Sequence, residues 1–305
     1  MDRYATLFRD LTRTCPSMEV RVDEPMSRHT TFRIGGPVRV MALPKTEEEA
    51  VKAVQVALRH EVQPFYMGNG SNLLVSDQGY EGFILKLVDG LGTLEADGTT
   101  LNAGSGVLLS RLSSFAMDKG LTGLEFAHGI PGSVGGALVM NAGAYGSEIK
   151  NILKSARVMT NEGEVLELSV DELELGYRTS CIPHRGYTVL EASFQLEPGD
   201  QEAIEARMKE LAARRREKQP LEYPSAGSTF KRPQGYFAGK LIEDAGLRGY
   251  GMGGARVSEK HCGFVINGGN ATASDVMALC GHIRKTVMEQ SGVELEMEVK
   301  RWGEF

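Results

Sequence analysis

The first candidate for a binding site in this chain is a glycine-rich stretch, GIPGSVGGALVMNAGAYG, from Gly129 to Gly146. Its six glycines suit a backbone that adopts positive φ or approaches another group closely. Consecutive N–H groups in such a loop, opening onto the apolar run 137–140, form a concavity suited to a pyrophosphate. Taken alone, the stretch equally fits a glycine-rich connection inside a barrel or sandwich.

A second glycine cluster, GNGSNLL from Gly68 to Leu74, follows a predicted strand over 62–67. It resembles a dinucleotide fingerprint, but the third glycine is missing and the following residues are typical of a strand. A Rossmann site needs a helix there, so that fold is excluded. A turn between two strands can still present its amides, the Ser71 hydroxyl and the Asn72 side chain to phosphate oxygens. The two clusters together predict two loops that hold one extended dinucleotide.

Three further residues, Arg178, Ser228 and Glu298, are of types that could act in catalysis. Each also has an ordinary explanation, as a surface arginine, a turn serine and one of three glutamates on the wet face of an alternating strand over 294–301. The residues alone do not separate these alternatives. The six histidines form no HxxxH or HExxH pair, so we expect no metal site.

The composition indicates a protein of the cytoplasm. The 305 residues carry a net charge of −6, which does not favour a nucleic-acid surface. The four scattered cysteines are interpreted as reduced thiols. We expect no membrane insertion, because no apolar run approaches the roughly 20 residues needed to span a bilayer. The chain is long enough for two domains, and we place a boundary near residue 200.

Periodicity and turn residues predict elements around the two loops. Thr46 and Glu49 form a capping box at the start of one helix, and Ser169 and Glu172 form another before a single turn. The predicted helices span 2–13, 107–119, 200–218, 237–245 and 272–290. The predicted strands span 38–43, 62–67, 83–87, 93–96, 100–103, 156–160, 164–168, 188–196, 263–267 and 294–301.

Several segments in this order resemble the UDP-N-acetylenolpyruvoylglucosamine reductase family, over nearly the whole chain. The matching segments are GNGSNLL (68–74), GIPGSVGG (129–136), NAGAYG (141–146), YRTS (177–180), AGSTFK (226–231), AGKLI (238–242) and LEMEV (295–299). The resemblance implies an α+β fold with a two-lobed FAD-binding domain of the vanillyl-alcohol-oxidase type and a smaller α/β substrate domain. We expect the FAD domain over 1–200, with lobes 1–88 and 89–200. The substrate domain is expected over 201–305, its last strand packing back toward the FAD domain, as in the shorter family subtype that lacks an extra tyrosine loop.

The resemblance also implies a reaction: NADPH reduces non-covalent FAD, whose hydride passes to C3 of an enolpyruvyl sugar nucleotide in peptidoglycan synthesis. Arg178 would stabilise negative charge on the substrate, Ser228 would protonate C2 and Glu298 would orient and polarise the site. The expected FAD contacts are Tyr66, Gly68, Asn69, Gly70, Ser71, Asn72, Ile130, Gly132, Ser133, Gly135, Gly143 and Tyr145. The expected substrate contacts are Tyr177, Lys218 and Lys231. Arg232 stands where some family members carry asparagine, which leaves the diphosphate contacts open.

Two alternatives follow from the same residues. One is another oxidoreductase of the same flavin fold, such as an oxidase or a lactate-type dehydrogenase. Many oxidases of this fold attach FAD through a histidine in the first glycine loop. That loop, residues 66–72, contains neither histidine nor cysteine here. The other is a sensor that binds the nucleotide without chemistry, and the presence of Arg178, Ser228 and Glu298 together disfavours it. We also expect NADPH and the sugar nucleotide to share one site, because no second dinucleotide fingerprint follows the two loops.

Overall fold

The computed structural model describes residues 2–88 and 90–305. These residues form two compact units whose segments alternate along the chain. The first unit contains residues 2–22, 39–69, 82–88 and 90–214, and the second contains 23–38, 70–81 and 215–305. The predicted boundary between lobes at 88 and 89 touches residue 89, which lies outside the described residues. The bounds of these units differ from those of the expected FAD-binding domain, 1–200, and substrate domain, 201–305. The assignment of these two functions to domains stays a prediction.

The helices and strands are numbered here in chain order. The helices are α1 Arg3–Thr14, α2 Glu47–Arg59, α3 Leu109–Asp118, α4 Val134–Val139, α5 Cys181–His184, α6 Gln201–Lys218, α7 Ala238–Asp244 and α8 Ala273–Ser291. The strands up to residue 104 are β1 Glu19–Pro25, β2 Pro37–Leu43, β3 Pro64–Met67, β4 Leu73–Val75, β5 Tyr80–Lys86, β6 Leu94–Asp97 and β7 Thr100–Gly104. The remaining strands are β8 Leu121–Thr122, β9 Gly143–Ala144, β10 Ser147–Glu148, β11 Leu153–Met159, β12 Val165–Ser169, β13 Thr188–Gln195, β14 Glu197–Pro198, β15 Gly251–Met252, β16 Ala255–Val257, β17 Val265–Asn267 and β18 Lys300–Trp302.

The first unit is built on two sheets. One has the order β1-β2-β5-β3, with β3 parallel to β5. The apolar faces of α1 and α2, including Leu7, Leu11 and Val54, pack with Phe83 of β5 into one core. The other sheet has the order β12-β11-β13-β7-β6 and is antiparallel throughout. Its inner face packs against α3 and α4 to form a second core, which carries the central glycine stretch.

The second unit packs α7 and α8 against short strands. β15, β16 and β17 form an antiparallel sheet, and β18 pairs in parallel with β4. The core contains Leu74 of β4, Phe230, Ile242, Ile283 and Leu295, all nearly inaccessible to solvent. Residues about 220 positions apart in the sequence are therefore neighbours in one core.

One predicted element needs correction, and one observed element was not predicted. The predicted strand over 294–301 forms a ladder only over Lys300–Trp302, because residues 294–299 have a single isolated bridge, Phe230 to Met297, along this stretch. The alternation itself holds, since Leu295 and Val299 are buried while Glu294 and Glu296 are exposed. The glycine stretch contains a short helix, α4, which begins directly after Ser133.

Candidate active site

Parts of the two glycine loops lie against each other in the first unit. The Asn69 side-chain amide donates a 2.8 Å hydrogen bond to the Pro131 carbonyl. A Cβ atom on Gly68 would lie 2.4 Å from the Ser133 hydroxyl oxygen, so any larger residue there would require the Ser133 side chain to move. The predicted meeting of the loops is thus observed for residues 68 and 69. Residues 70–72 belong to the second unit and are described with it below.

The glycine loop of residues 129–136 is hydrogen-bonded to residues 105–109, just before and at the start of α3. Gly135 donates its N–H to the Ser105 carbonyl at 2.9 Å, and Gly132 accepts from the N–H of Leu109 at 2.9 Å. A Cβ on Gly135 would lie 3.0 Å from the Ser105 Cβ, so the backbones pack closely. These hydrogen bonds hold the loop against residues 105–109.

Three buried hydroxyls of this unit have no hydrogen-bond partner among the residues that the structure describes: Tyr66 Oη, Ser105 Oγ and Ser133 Oγ. Burial, assisted by the negative charge of Glu162, raises the pKa of the Tyr66 phenol, so it is a neutral hydroxyl. A buried polar atom without a partner is costly and calls for an explanation. Polar groups of a bound ligand at such hydroxyls supply one, and the residues present therefore fit FAD.

The remaining expected FAD contacts of the first unit lie further along the same loop. Gly143 starts β9, and a Cβ there would lie 2.7 Å from the Ser147 carbonyl of the paired strand. Tyr145 has a φ of 56°, and its hydroxyl donates to the Leu211 carbonyl at 3.3 Å. Ile130 is half-buried and donates its N–H to the Ala127 carbonyl.

Arg178 lies at the tip of a tight turn in the same unit. Gly176 and Thr179 exchange backbone hydrogen bonds of 3.1 and 3.3 Å, so Tyr177 and Arg178 form the tip. Arg178 adopts a φ of 55°, a left-handed conformation that is uncommon outside glycine, asparagine and aspartate. Its guanidinium donates to the Gly143 carbonyl at 3.3 Å and lies 5.3 Å from the centre of the Tyr177 ring. The arginine is thereby placed beside the end of the glycine stretch.

The support of this turn is a buried asparagine that the sequence analysis did not single out as a site residue. Asn141 is inaccessible to solvent, and its amide donates to the Gly176 carbonyl at 3.1 Å. Its side-chain oxygen accepts from the N–H of Lys150 at 2.9 Å. Ser180 adds a hydrogen bond to the Val139 carbonyl at 2.9 Å. The only signal in the sequence was the position of Asn141 at the head of the NAGAYG segment.

In the second unit, the structure brings Ser228 and Glu298 onto adjacent segments. Ser228 is exposed and directly follows Gly227, which has a φ of 76°. The Glu298 N–H donates to the carbonyl of Thr229 at 2.9 Å. Glu298 is half-buried, whereas Glu294 and Glu296 are exposed, so packing distinguishes it from the other two glutamates of the alternating segment.

The end of the first glycine loop reaches the same segment of the second unit. The Asn72 side chain donates to the Glu298 carbonyl at 3.4 Å, and the Asn72 carbonyl accepts from the N–H of Lys300 at 3.0 Å. Gly70 has a φ of 63°, its carbonyl accepts from Thr31, and Ser71 is half-buried. Residues 70–72 are therefore held beside the stretch that carries Glu298.

The expected substrate-contacting cations have different surroundings. Lys231 forms an ion pair with Glu296, and Lys218 is exposed at the last turn of α6. Arg232 lies 4.0 Å from the centre of the exposed Phe237 ring. Tyr177, at the tip of its turn, is 55% exposed. Nothing in these contacts assigns a diphosphate to one of them.

Two segments of the chain match models of known protein families. A family model described as the C-terminal domain of UDP-N-acetylenolpyruvoylglucosamine reductase matches residues 219–302, and a model of an FAD binding domain matches residues 38–169. A UDP-N-acetylenolpyruvoylglucosamine reductase from Agathobacter rectalis is 51% identical, with 98% of this chain and 99% of that protein covered. A second, from Lachnoclostridium phytofermentans, is also 51% identical, with 98% and 97% covered. The chain belongs to this reductase family.

Two solved structures are similar to this chain. The crystal structure of the family member from Thermus caldophilus has a TM-score of 0.81 and 35% identity, covering 94% of this chain and 99% of that one. A 4-ethylphenol oxidase from Gulosibacter chungangensis has a TM-score of 0.51 and 17% identity over 65% of this chain and 43% of its own, which indicates the fold alone. The predicted family and the α+β fold with a vanillyl-alcohol-oxidase-type FAD domain are confirmed. The chain is an FAD-binding oxidoreductase.

Within residues 2–88 and 90–305, no group of histidine, cysteine, aspartate or glutamate side chains is arranged to hold a metal ion. Over the same residues, no helix combines the length and the hydropathy needed to cross a membrane.

Proposed function

We propose that this enzyme reduces UDP-N-acetylglucosamine enolpyruvate to UDP-N-acetylmuramate with NADPH, as a step of peptidoglycan precursor synthesis in the cytoplasm. The observation that carries the proposal is the match to reductases of this name over 98% of the chain at 51% identity. It covers both the segment matched by the FAD-binding model and the segment matched by the reductase C-terminal model.

Residues of both glycine loops would hold the cofactor. We assign FAD contacts to the hydroxyls of Tyr66 and Ser133, which have no partner among the described residues, and to the backbone of the loops around Gly68, Asn69 and Gly135. When bound, FAD supplies hydride transfer from NADPH to C3 of the enolpyruvyl group. We expect the FAD to be non-covalent, because residues 66–72 contain no histidine or cysteine.

The protein itself supplies the proton and stabilises charge. Reduction at C3 places negative charge on C2 and the substrate carboxylate, and Arg178 would stabilise it as a fixed cation with a planar fork of donors. Ser228 would donate the proton to C2, since its hydroxyl is exposed and sits on a backbone fixed by its neighbour. Glu298 would orient and polarise the group that is protonated.

Substrate recognition would involve Tyr177, Lys218 and Lys231. The Lys231 side chain pairs with Glu296, so contact with a substrate phosphate requires that this exposed pair be exchanged. Exposed ion pairs contribute only about 0–1 kcal/mol, so the exchange costs little. We further propose that NADPH and the sugar nucleotide occupy one site in turn. Parallel lines in steady-state plots support that proposal, and intersecting lines without substrate inhibition contradict it.

The decisive experiment separates the two halves of the reaction by stopped-flow absorbance at the flavin band. Ser228→Ala should be reduced by NADPH at close to the wild-type rate, because that half needs no proton at C2. Reoxidation by the enolpyruvyl nucleotide should slow by about 10²–10⁴-fold, the usual contribution of a general acid. Ser225→Ala, in the same loop, is the matched control and should leave both halves unchanged.

Other outcomes reject specific parts of the proposal. Reoxidation of Ser228→Ala at the wild-type rate shows that the serine is an ordinary turn residue. A protein that NADPH reduces but the enolpyruvyl nucleotide does not reoxidise has a different acceptor. Arg178→Lys should also slow reoxidation, because a point charge does not reproduce the planar fork of arginine.

A further inference from the structure

We propose that Thr229 is a positioning residue, which holds Ser228 at the correct place relative to Glu298 during protonation of the substrate. This inference rests on the function proposed above for Ser228 and Glu298. Thr229 itself is 2% exposed and is therefore not assigned a contact with the substrate.

Thr229 joins three segments of the second unit by three hydrogen bonds. Its N–H donates to the Gly263 carbonyl at 2.9 Å, and its carbonyl accepts from the Glu298 N–H at 2.9 Å. Its hydroxyl accepts from the N–H of Val265, the first residue of β17, at 2.9 Å. Both backbone groups and the side chain of this one residue are thus engaged.

Of these three hydrogen bonds, the one from the Val265 N–H is made to the Thr229 side chain, so a substitution can remove it. Val265 is 1% exposed, and its N–H has the Thr229 hydroxyl as acceptor. A buried N–H that loses its acceptor is costly, so removal of the hydroxyl favours a shift of the loop toward another partner. Ser228, next in the chain and preceded by Gly227 with its positive φ, would move with Thr229.

The following residues hold the loop but do not duplicate this role. Phe230 is buried and forms a bridge with Met297, and Lys231 donates its N–H to the Glu296 carbonyl at 2.8 Å. These contacts fix the C-terminal side of the loop. On the side of Ser228, Thr229 is the residue that connects the loop both to β17 and to Glu298. Misplacement of a reacting group by about 1 Å can cost about 10²-fold in rate, so small shifts here are measurable.

The test compares Thr229→Val, which keeps the shape and removes the hydroxyl, with Thr229→Ser, which keeps the hydroxyl. Stopped-flow is run separately with NADPH and with UDP-N-acetylglucosamine enolpyruvate. We expect Thr229→Val to slow reoxidation by about 10–100-fold and to leave reduction within about twofold of wild type. Thr229→Ser should restore reoxidation. Should Thr229→Val not fold, Thr229→Ala is used in its place, since it removes the hydroxyl without the larger branch.

The double variant Ser228→Ala/Thr229→Val decides whether Thr229 acts through Ser228. If it does, the double variant is no slower than Ser228→Ala, because residues that act as a unit are not additive. Additive losses overturn the positioning role, as do equal losses in both half-reactions or a Thr229→Ser variant as slow as Thr229→Val. Slow Ser228→Ala with normal Thr229→Val rejects this inference alone. Reoxidation of Ser228→Ala at the wild-type rate rejects the proton-donor role proposed for Ser228, on which the inference rests.

Discussion

Asn141 offers a direct test of the link between a buried side chain and the turn that carries Arg178. Asn141→Ala removes two hydrogen bonds, one to the Gly176 carbonyl at 3.1 Å and one from the Lys150 N–H at 2.9 Å. It also places alanine at a φ of 39°, where asparagine is better tolerated than most residues. We expect the first unit to lose stability and the turn over 176–179 to lose order.

The magnitude follows from these contributions. Each hydrogen bond contributes about 1 kcal/mol to the free energy of unfolding, so the pair is worth about 2 kcal/mol. The left-handed backbone costs alanine about a further 1 kcal/mol. Asn141→Ala should therefore lower the free energy of unfolding by about 3 kcal/mol.

A matched control separates the two contributions. Asn270 has a similar φ of 53° but is exposed, so Asn270→Ala isolates the backbone cost of about 1 kcal/mol. The assay is urea unfolding followed by circular dichroism, with Trp302, the single tryptophan of the chain, reporting separately on the second unit. Equal losses in the two variants would falsify the reasoning, since the hydrogen bonds of Asn141 would then contribute nothing measurable.

Three other predictions follow from single features. Asp77 accepts hydrogen bonds from the N–H groups at the start of α8; burial acts to raise its pKa, but these bonds prevail and lower the pKa below 3.8. Asp77→Ala should thus cost about 1 kcal/mol in urea melts followed by Trp302 at pH 7, and the difference should disappear as the pH falls through the lowered pKa. The four cysteines are buried, and burial raises the pKa of Cys280 to about 12, so mass spectrometry should find no iodoacetamide label on the native protein and four after unfolding; native labelling of Cys280 contradicts this. Gly68→Ala should weaken FAD binding by about 10–100-fold through overpacking against Ser133, measured as flavin absorbance per chain, whereas Gly281→Ala, where an added Cβ meets nothing within 4 Å, should leave it unchanged; unchanged binding in Gly68→Ala refutes the close approach.

The sequence predicted those features that depend on neighbouring residues. The helix predicted over 272–290 is found as Ala273–Ser291, because its apolar period lies within the segment itself. Thr46 accepts from the Glu49 N–H at the start of α2, as predicted. The Glu49 carboxylate, however, accepts from the backbone N–H of Lys45 and not from that of Thr46, so the capping box is incomplete. Even a local motif therefore does not fix every hydrogen bond.

Features that depend on residues distant in the chain could not be predicted from local sequence patterns. Glu298 became distinguishable from Glu294 and Glu296 only through its partial burial, beside the Thr229 carbonyl to which its N–H donates, about 70 residues earlier in the chain. The predicted strand over 294–301 was shortened because its parallel partner, β4, offers only three residues, Leu73–Val75. The positive φ of Arg178 has no signal at all, since nothing in its neighbours marks a left-handed arginine.

The alternation of segments between the two units has a consequence for how the chain is made. β4 emerges from the ribosome early, but its partner β18 ends at Trp302, 227 positions after Val75. At about 5–20 residues per second, translation separates the two strands by roughly 10–45 s. Throughout that interval the edge of β4 has no β18 to pair with, and the apolar segments of the second unit lack most of their core. The second unit can therefore be completed only once β18 has been synthesised.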